Sequence, residues 1–268
     1  MQENIISTAH NPKIKKLLAL QQKAAERRKN GLFVVEGQRE LQHCIDAGLE
    51  IDSIFFCPEI LGNDDTVLAT RCKTARCHEV TAGVYDKIAY RGGTEGIIAE
   101  VKARRLRLND LQLKENPLLV VLESVEKPGN LGAVLRSADA AGVDAVIVCD
   151  PLTDIYNPNL IRSSIGAVFT VPCVACGTDD CIAFLKSKGI QILTAQLQDS
   201  SLYYDADMTC GTAIVMGTEA TGLTETWRQA ATRHIRIPML GKLDSLNVSV
   251  SAGILMFEAV RQREHSCK

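Results

Sequence analysis

The chain has 268 residues, 46% hydrophobic and 23% charged, with a formal net charge of −2. That length accommodates one large domain or two modest ones, and the composition is that of a globular protein. Neither end carries an 18-residue apolar run, and Met1-Gln-Glu-Asn-Ile-Ile-Ser7 lacks the basic region and apolar core of an export signal. The reading is therefore cytoplasmic, with no membrane span.

A near-neutral average excludes a global basic field, but the distribution is uneven. Between Asn11 and Asn30 stand Lys13, Lys15, Lys16, Lys23, Arg27, Arg28 and Lys29 against Glu26. Lys102, Arg104, Arg105, Arg107 and Lys114 form a second cluster. A local basic face suffices for nucleic-acid affinity; a solvated helix and a charged linker explain the same residues equally well. Of ten cysteines, Cys173 and Cys176 have CxxC spacing with Cys181 near, but a zinc set needs four ligands and His234 is the only histidine nearby in sequence. The cysteines read as unconnected small hydrophobes and reduced thiols, behind which a metal set or a redox pair stays open.

In chain order, a helix is predicted over 11–29, with Ile14, Leu17, Leu18 and Leu20 as its apolar stripe. Strand 32–35, helix 39–47, strand 51–57 and helix 65–71 follow. A strand tip with a short helix over 80–89 and strand 96–101 complete a first α/β unit, residues 1–101. Residues 102–116 are charged and read as a linker. The second unit, 117–268, opens with strand 118–122. Helix 131–141, strand 145–149, helix 158–165, strand 168–171, helix 179–188, strand 190–193, strand 211–216, helix 225–231, strand 234–237 and helix 250–263 then alternate. Apolar strands alternating with helices predict a largely parallel sheet covered on both faces, with ligands beyond the carboxyl ends of the strands.

Three segments follow strands directly. The first, Asn130-Leu-Gly-Ala-Val-Leu-Arg136, has glycines at 129 and 132 but no third at the spacing of a dinucleotide fingerprint. An Arg on a helix at the ligand edge can hold a phosphate bidentately. The second, Gly217-Thr-Glu-Ala-Thr-Gly-Leu223, brackets Glu219 with glycines that permit close backbone approach or positive φ. The third runs from Ile237-Pro-Met239 to Ser245-Leu-Asn-Val-Ser249, with short polar groups between apolar walls, a mix suited to a nucleoside. Neither Ser245 nor Ser249 lies in a nucleophile elbow, and there is no phosphate loop with a lysine-serine pair, which argues against hydrolysis and triphosphate binding.

Together the segments resemble the N-x-G-x-x-x-R, G-x-E-x-x-G-L and I-P-M…S-L-N-V-S motifs of the SpoU (TrmH) branch of the SPOUT RNA methyltransferases. Residues 11–15 and 31–37 resemble the L30e-like substrate-binding domain of that family. The resemblance implies an α/β fold whose mostly parallel methyltransferase sheet carries a deep trefoil knot, preceded by the smaller L30e-like domain. It implies a homodimer, with 250–260 supplying part of the interface. It also implies S-adenosylmethionine as cofactor, held by Thr194, Gly217, Ile237, Met239 and Leu246, and no metal.

The implied reaction is methyl transfer to a ribose 2′-hydroxyl of structured RNA, with ribosomal preferred to transfer RNA. Arg136 would be the central catalytic residue and Asn130 would orient it or the ribose. Glu219, Ser245 and Asn247 would shape the pocket. The sequence departs from many relatives at Thr218 and Ala220, where they carry Asn and Gly. The rival is an RNA-binding protein that keeps the fold without turnover; intact Arg136, Glu219 and Asn247 favour the enzyme.

Overall fold

The computed structural model describes residues 5–62, 75–90, 95–218 and 221–266. The helix expected over 65–71 lies outside them. The chain forms two compact units, one of Met1–Arg104 with Tyr156–Phe169 and one of Arg105–Ile155 with Thr170–Lys268.

The first unit holds a four-stranded sheet, in the order β1-β4-β2-β3. Its strands are β1 (Leu32–Glu36), β2 (Ile51–Phe56), β3 (Arg76–Glu79) and β4 (Ile97–Lys102). β4 runs antiparallel to both β1 and β2, and β3 is parallel to β2. Ile14, Leu17 and Leu20 pack with Val34, Phe55, Tyr85, Ile88 and Ile98 in one core.

The single helix expected over 11–29 is broken at Lys23, whose backbone is extended (φ −121°, ψ 114°), into Pro12–Gln22 and Ala24–Asn30. Buried Arg27 donates to the carbonyls of Leu20 and Gln21 at 2.7 and 3.1 Å, taking up acceptors that the break leaves without a helical partner. Two positions counted as basic surface are thereby spent on structure: Arg27 here, and Lys16, whose Nζ lies 2.6 Å from the buried Glu100 carboxylate.

The expected strand over 168–171 is a short helix, Ala167–Thr170. Ile165 and Gly166 turn the chain just before it, at φ 54° and 83°. Phe169 then lies 5.7 Å from Phe33, which also stacks on Tyr156 at 4.2 Å. A four-residue apolar run reads alike for a strand and a buried helical turn. The strand itself begins one residue past Pro172.

The second unit is a seven-stranded sheet in the order β7-β6-β5-β10-β8-β11-β9. Its strands are β5 (Leu118–Glu123), β6 (Ala145–Cys149), β7 (Cys173–Cys176), β8 (Gln191–Ala195), β9 (Ser201–Leu202), β10 (Thr212–Met216) and β11 (Arg233–Arg236). Every described pairing in it is parallel. β5, β6 and β10 are buried throughout, as a doubly covered parallel sheet requires. Phe184, Leu185 and Trp227 join a core with Val121, Ile147 and Val215.

Strand alternation places Cys173 and Cys176 on opposite faces of β7, so the CxxC does not act as a pair. Instead β6 and β7 set Cys149 beside Cys176, and Cys181 completes a trio whose sulfurs lie within 4.8 Å of one another. The reading of the cysteines as unconnected is corrected for these three.

The C-terminal helix Val248–Ser266 is fastened to the sheet by Arg263. Its guanidinium donates to the carbonyls of Met208, Asn116, Pro117 and Cys210 at 2.8–3.2 Å, at the entries to β5 and β10. Burial holds its pKa below the ordinary arginine value. Charge-assisted bonds contribute about 1.5–3 kcal/mol each before losses to desolvation. Arg263→Ala should therefore destabilise the unit by roughly 2–4 kcal/mol. Urea unfolding followed by the fluorescence of Trp227, the single tryptophan, reads this. Arg261→Ala, which takes one partner from the mostly covered Glu258 carboxylate but leaves it the Gln262 amide as donor, should lower the midpoint less.

Candidate functional site

The site is built where β5, β10 and the C-terminal helix converge. β5 ends at Glu123. Ser124 then takes a left-handed conformation (φ 51°) and donates its N–H to Cys149 O at 2.8 Å, turning the chain away from the sheet. Helix Pro128–Ala140 opens with proline in its first turn, where a missing N–H costs nothing. Asn130 sits in that same turn.

β10 ends at Met216 and the second loop closes at once. Thr218 and Gly222 exchange backbone hydrogen bonds of 3.2 and 3.1 Å. A Cβ at Gly217 would lie 2.2 Å from the Gly222 carbonyl carbon and oxygen, so only glycine fits there. Thr218 Oγ1 accepts from Thr221 N at 3.0 Å and meets Thr221 Oγ1 at 2.8 Å, so the hydroxyl that departs from the family pattern staples the turn. Thr224, at the loop exit, donates its N–H and its hydroxyl to the two oxygens of Glu123, at 2.9 and 2.6 Å. Glu123 is 4% exposed, and this bidentate bond locks the second loop to the end of β5.

The third segment enters its helix through Asn247. Oδ1 accepts from Ser249 N and Ser249 Oγ at 2.9 and 2.6 Å, an N-cap, while Nδ2 donates to Asn130 Oδ1 at 3.2 Å. The first and third motifs, 117 residues apart, thus meet side chain to side chain. Beside them lies a cavity of about 110 Å³, whose lining includes Glu123, Lys127, Asn130, Gly217, Thr218 and Val248.

The other expected residues fall in three places. Arg136 is exposed and makes no hydrogen bond or ion pair among the described residues. Six positions on from Asn130, it points about 120° away around the helix and lies about 9 Å along it. The structure does not join the two. Ser245 is exposed, its hydroxyl 3.3 Å from Asp244 Oδ1, and does not reach Asn130. Glu219 lies outside the described residues.

Thr194, Gly217 and Ile237 are at the same end of the adjacent strands β10, β8 and β11. Thr194 is fully buried and its Oγ1 is 2.6 Å from His234 Nδ1, so its side chain ties β8 to β11. Ile237 and Met239 are half-buried, and Leu246 is exposed at the rim.

Two residues escaped the sequence reading. Glu123 is one; its signal was a carboxylate closing an otherwise apolar strand. Gln196 is the other. It follows β8, donates Nε2 to Gln198 O at 2.9 Å, and keeps a buried Oε1 with no partner among the described residues. A buried acceptor left over at the ligand end of a sheet fits a ligand N–H, such as the exocyclic amine of an adenine.

The model of the SpoU rRNA Methylase family matches residues 117–257, and that of the MRM3-like substrate binding domain matches residues 11–99. The 23S rRNA (guanosine-2′-O-)-methyltransferase RlmB of Vibrio vulnificus is 40% identical over 191 residues, covering 69% of this chain and 77% of that protein. The 23S rRNA (guanosine(2553)-2′-O)-methyltransferase RlmP of Bacillus subtilis is 28% identical over 94% of this chain and 97% of its own. Among solved structures, an RNA 2′-O ribose methyltransferase superimposes with a TM-score of 0.84 at 36% identity, covering 97% of this chain and 99% of that one. An AdoMet-bound rRNA methyltransferase from Sinorhizobium meliloti gives 0.87 at 30% identity, covering 96% and 97%. The chain belongs to the SpoU rRNA methylase family.

Proposed function

We propose that this chain methylates the 2′-hydroxyl of a guanosine ribose in 23S-type ribosomal RNA, with S-adenosylmethionine as donor. The observation that carries this reading is the meeting of the three motif segments, through Asn130–Asn247 and Glu123–Thr224, around one cavity. The names of the relatives from Vibrio and Bacillus support the guanosine and the ribosomal RNA. The AdoMet-bound relative supports the donor.

When bound, S-adenosylmethionine supplies an electrophilic sulfonium methyl. Gly217, Gln196, Ile237, Met239 and Leu246 would hold it, with Thr194 fixing the strand beneath. The cavity of about 110 Å³ is smaller than the roughly 300–1,000 Å³ of a whole-ligand pocket, so it suits the reacting end. In-line transfer depends on alignment, which the clamped loops provide.

A ribose hydroxyl must be oriented and relieved of its proton. A guanidinium with pKa above about 12 is a poor base. Arg136, exposed and without a protein partner among the described residues, would hold an RNA phosphate and concentrate positive charge where the alkoxide develops. Asn130 would orient the ribose; Glu219, Ser245 and Asn247 would shape the pocket. Residues 1–101 would bind RNA, joined by 102–116 to a methyltransferase domain of 117–268 whose last segment completes a trefoil knot.

Leu240, Leu243, Leu246, Val250 and Phe257 are 97, 79, 41, 50 and 49% exposed, a density of uncovered apolar side chains that supports a homodimer through this segment. No helix among the described residues is long and apolar enough to cross a membrane. Free thiols fit a reducing cytoplasm.

Arg136→Ala should lower methyl transfer to ribosomal RNA by about 10²–10³-fold while leaving S-adenosylmethionine affinity unchanged by calorimetry; wild-type turnover would remove Arg136 from the reaction. Phe257→Glu should shift the protein toward monomer in sedimentation velocity. On the basic face, Lys15 and Arg28 are exposed. Lys15→Glu with Arg28→Glu should weaken RNA binding without altering cofactor affinity. The logarithmic salt dependence of that binding should flatten by about 0.7–0.9 for each phosphate no longer neutralised.

A further inference from the structure

Away from the methyl-transfer loops, the far edge of the large sheet carries three thiols that this reaction does not use. Cys149 closes β6, Cys176 closes β7, and Cys181 lies in the first turns of the helix Thr178–Ser187 that covers them. They come from three separate elements, yet their sulfurs all lie within 4.8 Å of one another. Strand register sets Cys149 beside Cys176, and the covering helix brings Cys181 down onto both from the apolar core.

The spacing has a chemical meaning. Zinc–sulfur bonds of about 2.3 Å in tetrahedral geometry place sulfurs about 3.8 Å apart. The observed trio reaches that by side-chain adjustment without moving a strand. Cys149 and Cys181 are fully buried, while Cys176 is only partly covered and lines a surface pocket of about 610 Å³. An ion can therefore enter from solvent on the Cys176 side and be held from below by two dry sulfurs. The same pocket is lined by Arg107, whose charge offsets the excess of three thiolates over a divalent ion, and it leaves a fourth position open to solvent water. Thiolates select soft or borderline cations over magnesium and calcium.

We propose that Cys149, Cys176 and Cys181 form a binding site for a thiophilic divalent cation of the zinc class, separate from the methyl-transfer chemistry. The ion would fasten β6, β7 and the covering helix. Ser124 N–H bonds to Cys149 O, and Asp150 N–H to Cys176 O, so backbone hydrogen bonds run from the trio's two strands to the turn that follows β5.

The test uses the full chain, reduced and stripped of metal by a chelator, then titrated with cobalt(II) alone. Sulfur-to-cobalt charge-transfer absorption should appear, saturate at equimolar cobalt, and be displaced by zinc. It should vanish in Cys176→Ser and persist in Cys210→Ser, which alters an exposed cysteine elsewhere. Zinc should raise the thermal midpoint of the wild type and leave that of Cys176→Ser unmoved. Cys176 is partly exposed, so its variant keeps the fold, as far-ultraviolet circular dichroism checks. If that variant unfolds, protection of the wild-type Cys176 from alkylation by zinc, read by peptide mass spectrometry, decides the matter. Absence of a charge-transfer band, a band that survives in Cys176→Ser, or alkylation of Cys176 indifferent to zinc overturns the proposal. None of these readouts depends on methyl transfer.

Discussion

The backbone at Gly217 has no room for a side chain, and the rest of the site depends on that. Because the second loop doubles back so tightly that a Cβ would enter the Gly222 peptide group, Thr224 arrives within reach of Glu123. That carboxylate is buried, and an unpaired buried carboxylate would cost several kcal/mol, so the pairing is obligatory for a stable fold. The loop is therefore held from both ends: by the Thr218–Gly222 bridge at its base and by the end of β5 at its exit. Backbone groups cannot adapt as side chains do, so what this loop presents is fixed by that clamp.

Around that fixed loop the polar groups divide their work. Asn247 caps the C-terminal helix with its oxygen and reaches Asn130 with its nitrogen, so the start of one helix positions the first turn of another. Thr194 and His234 tie neighbouring strands beneath. Arg136 stands apart, exposed and without a protein partner among the described residues. Gln196 Oε1, buried at the ligand end of β8, has no partner among the described residues, in contrast to the Asn247 and Thr194 side chains beside it.

Much of this was legible beforehand. The alternation of apolar strands with helices announced the parallel sheet, and Gly217, Asn130 and Asn247 stood out because their motifs combine backbone permissiveness with short polar side chains. What escaped was decided by distance in the chain. Glu123 and Thr224 are 101 residues apart, and nothing local pairs them. The cysteine trio hid behind a CxxC whose members face opposite ways. Arg27 read as exposed, on an RNA-binding face or a solvated helix, because its buried acceptors exist only once the helix breaks at Lys23. The run at 168–171 looked like a strand because four apolar residues carry no period long enough to tell.

The order of strands in the large sheet has a consequence for how the chain is made. β10 lies between β5 and β8, yet it is the sixth of the seven strands to be synthesised. Until residue 216 has left the ribosome, β5 and β8 each lack the neighbour that covers an edge, and their apolar runs remain open to wrong pairing. Arg263 adds a later condition, since it bonds carbonyls at the entries of β5 and β10 from a helix that follows all seven strands. The unit thus cannot mature progressively from its amino end. It must wait for the helix Val248–Ser266, which makes late-committing folding a property of the topology itself.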